Sequence, residues 1–175
     1  MKREIPDEDR VAVDVFIEAG DWQRCLPASE DICRRAARGT LAAVAGEPGN
    51  GAVEACVVLA DDAMVRRLNH RFRGIDCPTN VLSFPVAADA PAAPAQRRAL
   101  GDIAVAFETA QAEAVATGTP FADHLSHLVV HAMLHLLGYD HEVDEEAEAM
   151  ERLEVEILAA LEIPDPYAGA GDSRN

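Results

Sequence analysis

Residues His127 to His141 read His-Leu-Val-Val-His-Ala-Met-Leu-His-Leu-Leu-Gly-Tyr-Asp-His and hold four of the chain's six histidines. His131 and His135 are four residues apart, so an α-helix would place them on one face, rotated by only about 40°. The apolar residues around them predict a helix that is buried over most of its surface. Because buried imidazoles need partners, a shared metal ion is one way to satisfy both rings.

A third histidine follows the apolar run. Gly138 suits the left-handed turn that ends many helices, and such a turn could bring His141 back toward His131 and His135. Three protein ligands and one open position are typical of a catalytic zinc site rather than a structural one. Taken alone, the helical pair could equally be core or surface histidines, and the third histidine favours the metal site.

The histidine spacing is that of the metzincin pattern His-Glu-x-x-His-x-x-Gly-x-x-His, with one departure. Ala132 stands where those proteases carry the glutamate that acts as general base on the metal-bound water. The sequence therefore favours a zincin-like metal helix that activates water, and it disfavours peptide hydrolysis by the metzincin mechanism.

Two neighbours of these histidines have more than one interpretation. His127 lies one turn before His131 and either lines the same cleft or belongs to a partly exposed polar face, and the second reading is favoured. Asp140 either orients an imidazole from behind or is only a turn residue.

Composition limits the remaining possibilities. A chain of 175 residues with 49% hydrophobic content can form one domain with a full core, spanning 1–175 with a loose tail from about residue 164. We find neither a membrane-spanning apolar run nor a signal peptide. The four separated cysteines therefore predict reduced, buried thiols in a cytoplasmic protein. A net charge of −16 disfavours broad nonspecific binding to nucleic acid, although arginines gather locally.

Hydrophobic periodicity predicts four strands, at about 11–17, 53–59, 80–86 and 100–107. Helical spacing and breaker residues predict about five helices, at about 29–45, 61–73, 108–117, 121–137 and 144–161. These elements indicate an α+β fold, a small four-stranded mixed sheet covered by about five helices. Trp22 is predicted to be a packing anchor, and Ala87 to Ala99 a connecting hairpin.

Further motifs carry a family resemblance. Leu68 to Pro85 read Leu-Asn-His-Arg-Phe-Arg-Gly-Ile-Asp-Cys-Pro-Thr-Asn-Val-Leu-Ser-Phe-Pro, and Leu100-Gly-Asp-Ile follows. With the histidine motif and the late Asp165-Pro-Tyr, the chain closely resembles the YbeY family from about Val53 to Tyr167. Members of that family are bacterial endoribonucleases that act in ribosomal RNA maturation.

The resemblance implies one zinc ion per chain, held by His131, His135 and His141, and an arginine needed for RNA cleavage at Arg73. It also implies a cytoplasmic, single-strand-specific, metal-dependent endoribonuclease that matures the 3′ end of 16S ribosomal RNA and serves ribosome quality control. RNA is then the substrate, small-subunit ribosomal proteins are candidate partners, and no membrane is involved.

Elementary chemistry agrees with these roles. A phosphodiester gains negative charge as it is cleaved, which a metal ion and a bidentate guanidinium can both stabilise. Without the resemblance, Arg73 would be read as a surface arginine at a helix end. Two other functions stay open: a different zinc hydrolase, such as an amidase, and a non-enzymatic ribosome-assembly factor with a structural zinc.

Overall fold

The computed structural model describes residues 11–44, 52–87, 97–139 and 144–168. Those ranges contain four strands and six helices: β1 (Val11–Ile17), α1 (Trp22–Cys25), α2 (Ser29–Val44), β2 (Val53–Ala60), α3 (Asp62–Arg73), β3 (Val81–Pro85), β4 (Arg98–Ala106), α4 (Phe107–Thr117), α5 (Phe121–Leu136) and α6 (Asp144–Ala160). The predicted α+β class and four-stranded mixed sheet are confirmed. The four-residue α1 is additional to the five helices that the sequence predicts, and most of the predicted 87–99 hairpin lies outside the described residues.

The sheet has the strand order β1-β2-β4-β3, with β1, β2 and β4 parallel and β3 antiparallel to β4. Alternation along the strands divides its side chains between two cores. On β2, Val57 and Leu59 join the larger core beneath α2, α5 and α6, whereas Ala60 joins a smaller core with Val65 of α3. Helices α3 and α5 therefore lie on opposite faces of the sheet.

Trp22 anchors one end of the larger core. The side chain is fully buried, and its indole Nε1 donates to the backbone carbonyl of Ala60 at 3.0 Å. Its ring stacks on Phe121 with the centroids 5.5 Å apart and meets Phe107 edge-on at 5.1 Å. The predicted role as a packing anchor is confirmed, and the hydrogen bond satisfies the indole in an apolar setting.

The prediction that the cysteines are buried is wrong for two of them. All four cysteines are free thiols, but Cys25 and Cys77 are exposed rather than buried, because both lie in connecting segments at helix or turn ends. Of the tail predicted to be loose from about residue 164, Tyr167 hydrogen-bonds to the buried Glu154, and residues 169–175 lie outside the described residues. In the described parts of the chain, no helix combines the length and apolarity needed to span a membrane.

The ends of α3 and α5 meet the same end of the edge strand β3 from opposite faces. Phe72, at the end of α3, packs against Phe84 of β3 with the ring centroids 5.1 Å apart. On the other face, Leu136 at the end of α5 lies over Gly101 of β4, whose strand partner is Pro85 of β3. Structural elements from both faces of the sheet are thereby brought to one edge.

Gly101 permits this close approach. Its backbone has φ +141°, and a Cβ atom there would lie 2.2 Å from the carbonyl oxygen of Phe84 and 2.9 Å from the Leu136 side chain. Gly118, at the end of α4, also has a positive φ of 67° but has open space around it. Both glycines have a backbone conformation that disfavours other residues, but only Gly101 also lacks the space for a Cβ atom.

We expect Gly101→Ala to lower the free energy of unfolding by roughly 2–6 kcal/mol, from backbone strain and overpacking together. Gly118→Ala should cost only about 1 kcal/mol, because it meets the left-handed backbone penalty alone. Urea unfolding followed by the fluorescence of Trp22 measures both. Equal losses in the two variants would contradict the close contact at Gly101.

Candidate metal centre and its hydrogen-bond network

Helix α5 carries a histidine stripe along a largely buried helix. Nine of its sixteen residues are buried, and His127, His131 and His135 are left at intermediate exposure on one side. The Nε2 atoms of His131 and His135 are 3.1 Å apart. The prediction that the i, i+4 pair would share one face is confirmed, and the two rings direct nitrogen atoms at a common point.

The spacing of these two nitrogens fits a shared zinc ion. Two nitrogens each about 2.0–2.1 Å from a tetrahedral zinc would be about 3.3 Å apart, close to the observed separation. Gly138 adopts φ +92° directly after α5, so the predicted turn at the end of the helix is confirmed. His141 and Asp140 lie outside the described residues, and among those described no group of three histidine, cysteine or acidic side chains is arranged to hold a metal ion. The three-histidine zinc site stays a prediction.

Glu154 of α6 holds His131 from behind. Its Oε1 atom lies 2.5 Å from Nδ1 of His131, and its side chain is only 1% exposed. Because a carboxylate can only accept, Nδ1 must be the protonated nitrogen of the ring, which leaves the lone pair on Nε2. Metal-binding histidines commonly have a partner of this kind, which fixes the tautomer and the orientation of the ring.

Two further side chains complete the surroundings of Glu154. The hydroxyl of Tyr167 donates to Oε2 of Glu154, and Nε2 of His127 lies 3.4 Å from the same oxygen. The Tyr167 hydroxyl is also 3.3 Å from Nε2 of His127. His127 is therefore placed beside the carboxylate that supports His131, and the described contacts do not bring it to the ring of His135.

Electrostatics reinforces the charged form of Glu154. Burial raises the pKa of this carboxyl, but the hydrogen bonds from His127, His131 and Tyr167 together outweigh burial and lower the pKa to about 2. Burial, followed by the hydrogen bond to Glu154, raises the pKa of Tyr167 above its ordinary value. The phenol is thus kept protonated and donates, while the carboxylate stays ionised and accepts.

His124 belongs to a separate cluster. Its Nε2 atom lies 2.8 Å from Oε2 of Glu113, which also accepts from the side-chain amide of Asn80 at 3.0 Å. His124 and His127 line an open cleft of about 670 Å³ whose far wall includes Pro164 and Pro166. His127 also lies beside Glu154, so its place in the metal cleft or on a polar face stays a prediction.

Arg73 is exposed at the end of α3, on the face of the sheet opposite α5. No hydrogen bond or ion pair of the described residues links it to the histidine stripe. The two groups approach the same end of β3 from its two faces, so a substrate strand that follows the edge of the sheet could contact both. The role of Arg73 in cleavage stays a prediction.

Sequence reasoning missed Glu154 and Tyr167. An acidic residue on an acidic helix reads as solvated, yet Glu154 lies midway between the buried Met150 and Leu158 at four-residue spacing. A carboxylate inside an apolar stripe is the signal that could have found it, since buried charges need partners. Tyr167 is fixed by a local turn in which its amide donates to Oδ1 of Asp165 at 2.8 Å.

Known proteins resemble this chain over most of its length. A family model described as "Endoribonuclease YbeY" matches residues 22–162. A protein named Endoribonuclease YbeY from Bradyrhizobium sp. strain BTAi1 is 50% identical over 172 residues, which cover 94% of this chain and 96% of that protein. A protein of the same name from Paramagnetospirillum magneticum is 52% identical over 159 residues, covering 90% and 94%. The solution structure of TM1509 from Thermotoga maritima has the same fold, with 23% identity and a TM-score of 0.53 over 93% of this chain and 99% of that one.

We expect the Glu154 network to contribute stability that depends on pH. The pKa of Glu154 is lowered on folding to about 2, so its contribution is present above the ordinary value of 4.5 and is lost as the pH falls toward 2. In chelator-treated protein, Glu154→Gln should lower the free energy of unfolding by about 3 kcal/mol at pH 7, and this difference from wild type should shrink below pH 4.5.

Urea unfolding between pH 7 and pH 3 measures this difference. Glu156→Gln is the matched control, because Glu156 is exposed on the same helix and should change stability little at any pH. A Glu154→Gln penalty that stays constant from pH 7 to pH 3 would show that the carboxylate charge is not what stabilises the site.

Proposed function

Because the chain belongs to the YbeY endoribonuclease family, we propose that it is a metal-dependent endoribonuclease that cleaves single-stranded ribosomal RNA. In this proposal it matures the 3′ end of 16S ribosomal RNA in the cytoplasm and takes part in ribosome quality control. The observation that carries the metal dependence is the pair of Nε2 atoms of His131 and His135, 3.1 Å apart, with Glu154 on the other nitrogen of His131. Two surface histidines would not need a buried carboxylate behind them.

His131, His135 and His141 would hold one zinc ion per chain. A bound zinc ion would supply a Lewis acid for the phosphate and would lower the pKa of a water molecule to make it a nucleophile near neutral pH. Glu154 holds the His131 ring and keeps a proton on Nδ1, so that Nε2 is always available as a ligand. Tyr167 and His127 keep that carboxylate in place by occupying its second oxygen.

Arg73 supplies positive charge on the opposite side of the edge strand. Its guanidinium is exposed and can make two parallel hydrogen bonds to a phosphate of the bound RNA. Ala132 is buried within α5, where the metzincin pattern has a glutamate base, so the chain lacks that route to peptide hydrolysis. These features favour a phosphodiester over a peptide as substrate.

A protein partner fits the electrostatics of the proposal. With a net charge of −16, the chain has little long-range attraction for RNA, so basic small-subunit ribosomal proteins are suitable partners for delivering the substrate.

Replacing a predicted metal ligand should abolish cleavage. We expect purified protein to bind about one zinc per chain, and His131→Ala to lose both the bound zinc and the cutting of a single-stranded ribosomal RNA fragment. His70→Ala is the matched control, because His70 is exposed on α3 and outside the stripe. Elemental analysis and gel assays measure the two quantities. If His131→Ala keeps wild-type cleavage, the metal mechanism is wrong.

Arg73→Gln should keep the zinc and lose about 100-fold or more in cleavage rate, which is typical for removing a group that stabilises developing charge. Arg38→Gln, a change at an exposed arginine of α2, should leave the rate unaltered. Zinc retention with unchanged cutting in Arg73→Gln would point to a contaminating nuclease. No cleavage by wild type that nonetheless binds RNA and zinc would favour an assembly factor, and amide hydrolysis without RNA cleavage would favour another zinc hydrolase.

A further inference from the structure

An exposed aromatic ring stands beside Arg73. Phe72 is 58% exposed, yet its ring is held by Phe84 of β3, with the centroids 5.1 Å apart and the planes at 60°. The guanidinium of Arg71 lies 5.3 Å from the centroid of the same ring. Phe72 is thus a rigidly supported ring with much of its surface open to solvent.

Two more exposed apolar side chains lie in the segments next to this ring. The other large exposed apolar side chains of the two segments that meet here are Ile75, 50% exposed just after α3, and Val86, 42% exposed just after β3. These three residues make up half of the large hydrophobic side chains that are exposed among the described residues. Large apolar side chains exposed in adjoining segments commonly mark an interaction site.

The helix that carries Phe72 is positively charged, in contrast to the whole chain. Helix α3 contains four arginines and one acid. Arg66 is held by Asp76, with Nε and one Nη atom 2.8 and 3.0 Å from its two carboxylate oxygens. Arg67, Arg71 and Arg73 are exposed and make no ion pair with any residue in the described ranges. Three guanidiniums are therefore available for phosphate groups in a chain of net charge −16.

A single RNA strand matches this combination better than a protein surface does. Proteins that bind single strands pair a positively charged track for the backbone with aromatic rings on which bases stack, and arginine planes stack on bases as well. In a duplex the faces of the bases are covered by neighbouring bases, so they cannot stack on an exposed aromatic ring. Apolar side chains alone would favour a protein partner, whereas three arginines without an ion pair in the described ranges favour a ligand that carries phosphates.

We propose that Phe72, supported by Phe84 and flanked by Arg71, stacks on an unpaired base of the RNA substrate. This inference rests on the proposed ribonuclease function and names the place where the strand is held. The ring sits at the same end of β3 as the end of α5, so the stacked nucleotide lies a short way along the strand from the histidine stripe.

The chain offers a matched control for an exposed phenylalanine. Phe16 is 51% exposed but lies on β1, the opposite edge of the sheet, between the exposed acids Asp14 and Glu18. The affinity for a fluorescein-labelled, unstructured RNA 12-mer can be measured by anisotropy for wild type, Phe72→Ala, Phe72→Tyr and Phe16→Ala. Phe72→Ala should weaken binding by about 5- to 100-fold, as expected for the loss of one base–aromatic stack. Phe72→Tyr and Phe16→Ala should bind as wild type does.

A spectroscopic test reports stacking directly. In Phe72→Trp, the new indole fluorescence should be quenched when the single-stranded 12-mer binds, and a duplex of the same sequence should not quench it. Trp22 is fully buried and gives a constant background in every variant, and Phe16→Trp should show no quenching.

Each of the other outcomes rejects the stacking role of Phe72 for a different reason. Wild-type affinity in Phe72→Ala, in a protein that still cleaves RNA, overturns the stacking role and leaves the ribonuclease function standing. If Phe72→Ala and Phe16→Ala lose the same RNA affinity, the stacking role is overturned, because the loss is then a general effect of removing an exposed apolar side chain. If Phe72→Ala loses binding to a small-subunit ribosomal protein but keeps its affinity for RNA, the stacking role is overturned and Phe72 is assigned to a protein interface. If the wild-type protein neither binds nor cleaves RNA, both the stacking role of Phe72 and the proposed function are overturned.

Discussion

A carboxylate buried between two helices has to find hydrogen-bond donors, and this constraint organises the candidate site. Glu154 is 1% exposed, and an unpartnered charge there would cost several kcal/mol. Its donors come from separate parts of the chain: His131 and His127 on α5, and Tyr167 beyond the end of α6. The helix α6, the C-terminal segment and α5 can therefore dock in only one relative register, and that register also fixes the ring that faces His135.

The sheet separates the two groups of candidate site residues. Helix α5 carries the histidines on one face, and α3 carries the arginines on the other. Gly101 lets Leu136 of α5 approach β4 beside the edge strand β3, and Phe72 of α3 contacts β3 at Phe84. A substrate that touches both groups has to follow the edge of the sheet, which suits an extended single strand better than a rigid duplex.

Local sequence patterns predicted most of the fold because they report local physics. The apolar spacing of residues 121–136 defines α5, and the i, i+4 rule alone places His131 next to His135. The support from Glu154 was not predicted, because whether an acid on an amphipathic helix is solvated or buried depends on which surface the helix meets. Tyr167 was missed for the same reason, since a short segment after a proline gives no sign of the carboxylate it will bind. The predicted return of His141 toward His131 and His135 lies outside the described residues.

Net charge is a poor guide to where this chain could bind RNA. Residues 142–175 hold eleven acids and two arginines, whereas α3 has four arginines and one acid. The sheet separates α3 from α5 and α6, and packed layers are about 10 Å apart, which is already about one Debye length at physiological salt. The arginines of α3 are therefore largely screened from the acidic helix. Few phosphate contacts are possible on so small a basic surface, and they weaken as salt rises. In the proposed complex, stacking and metal coordination, which depend less on ionic strength, would then supply most of the affinity for a bound strand.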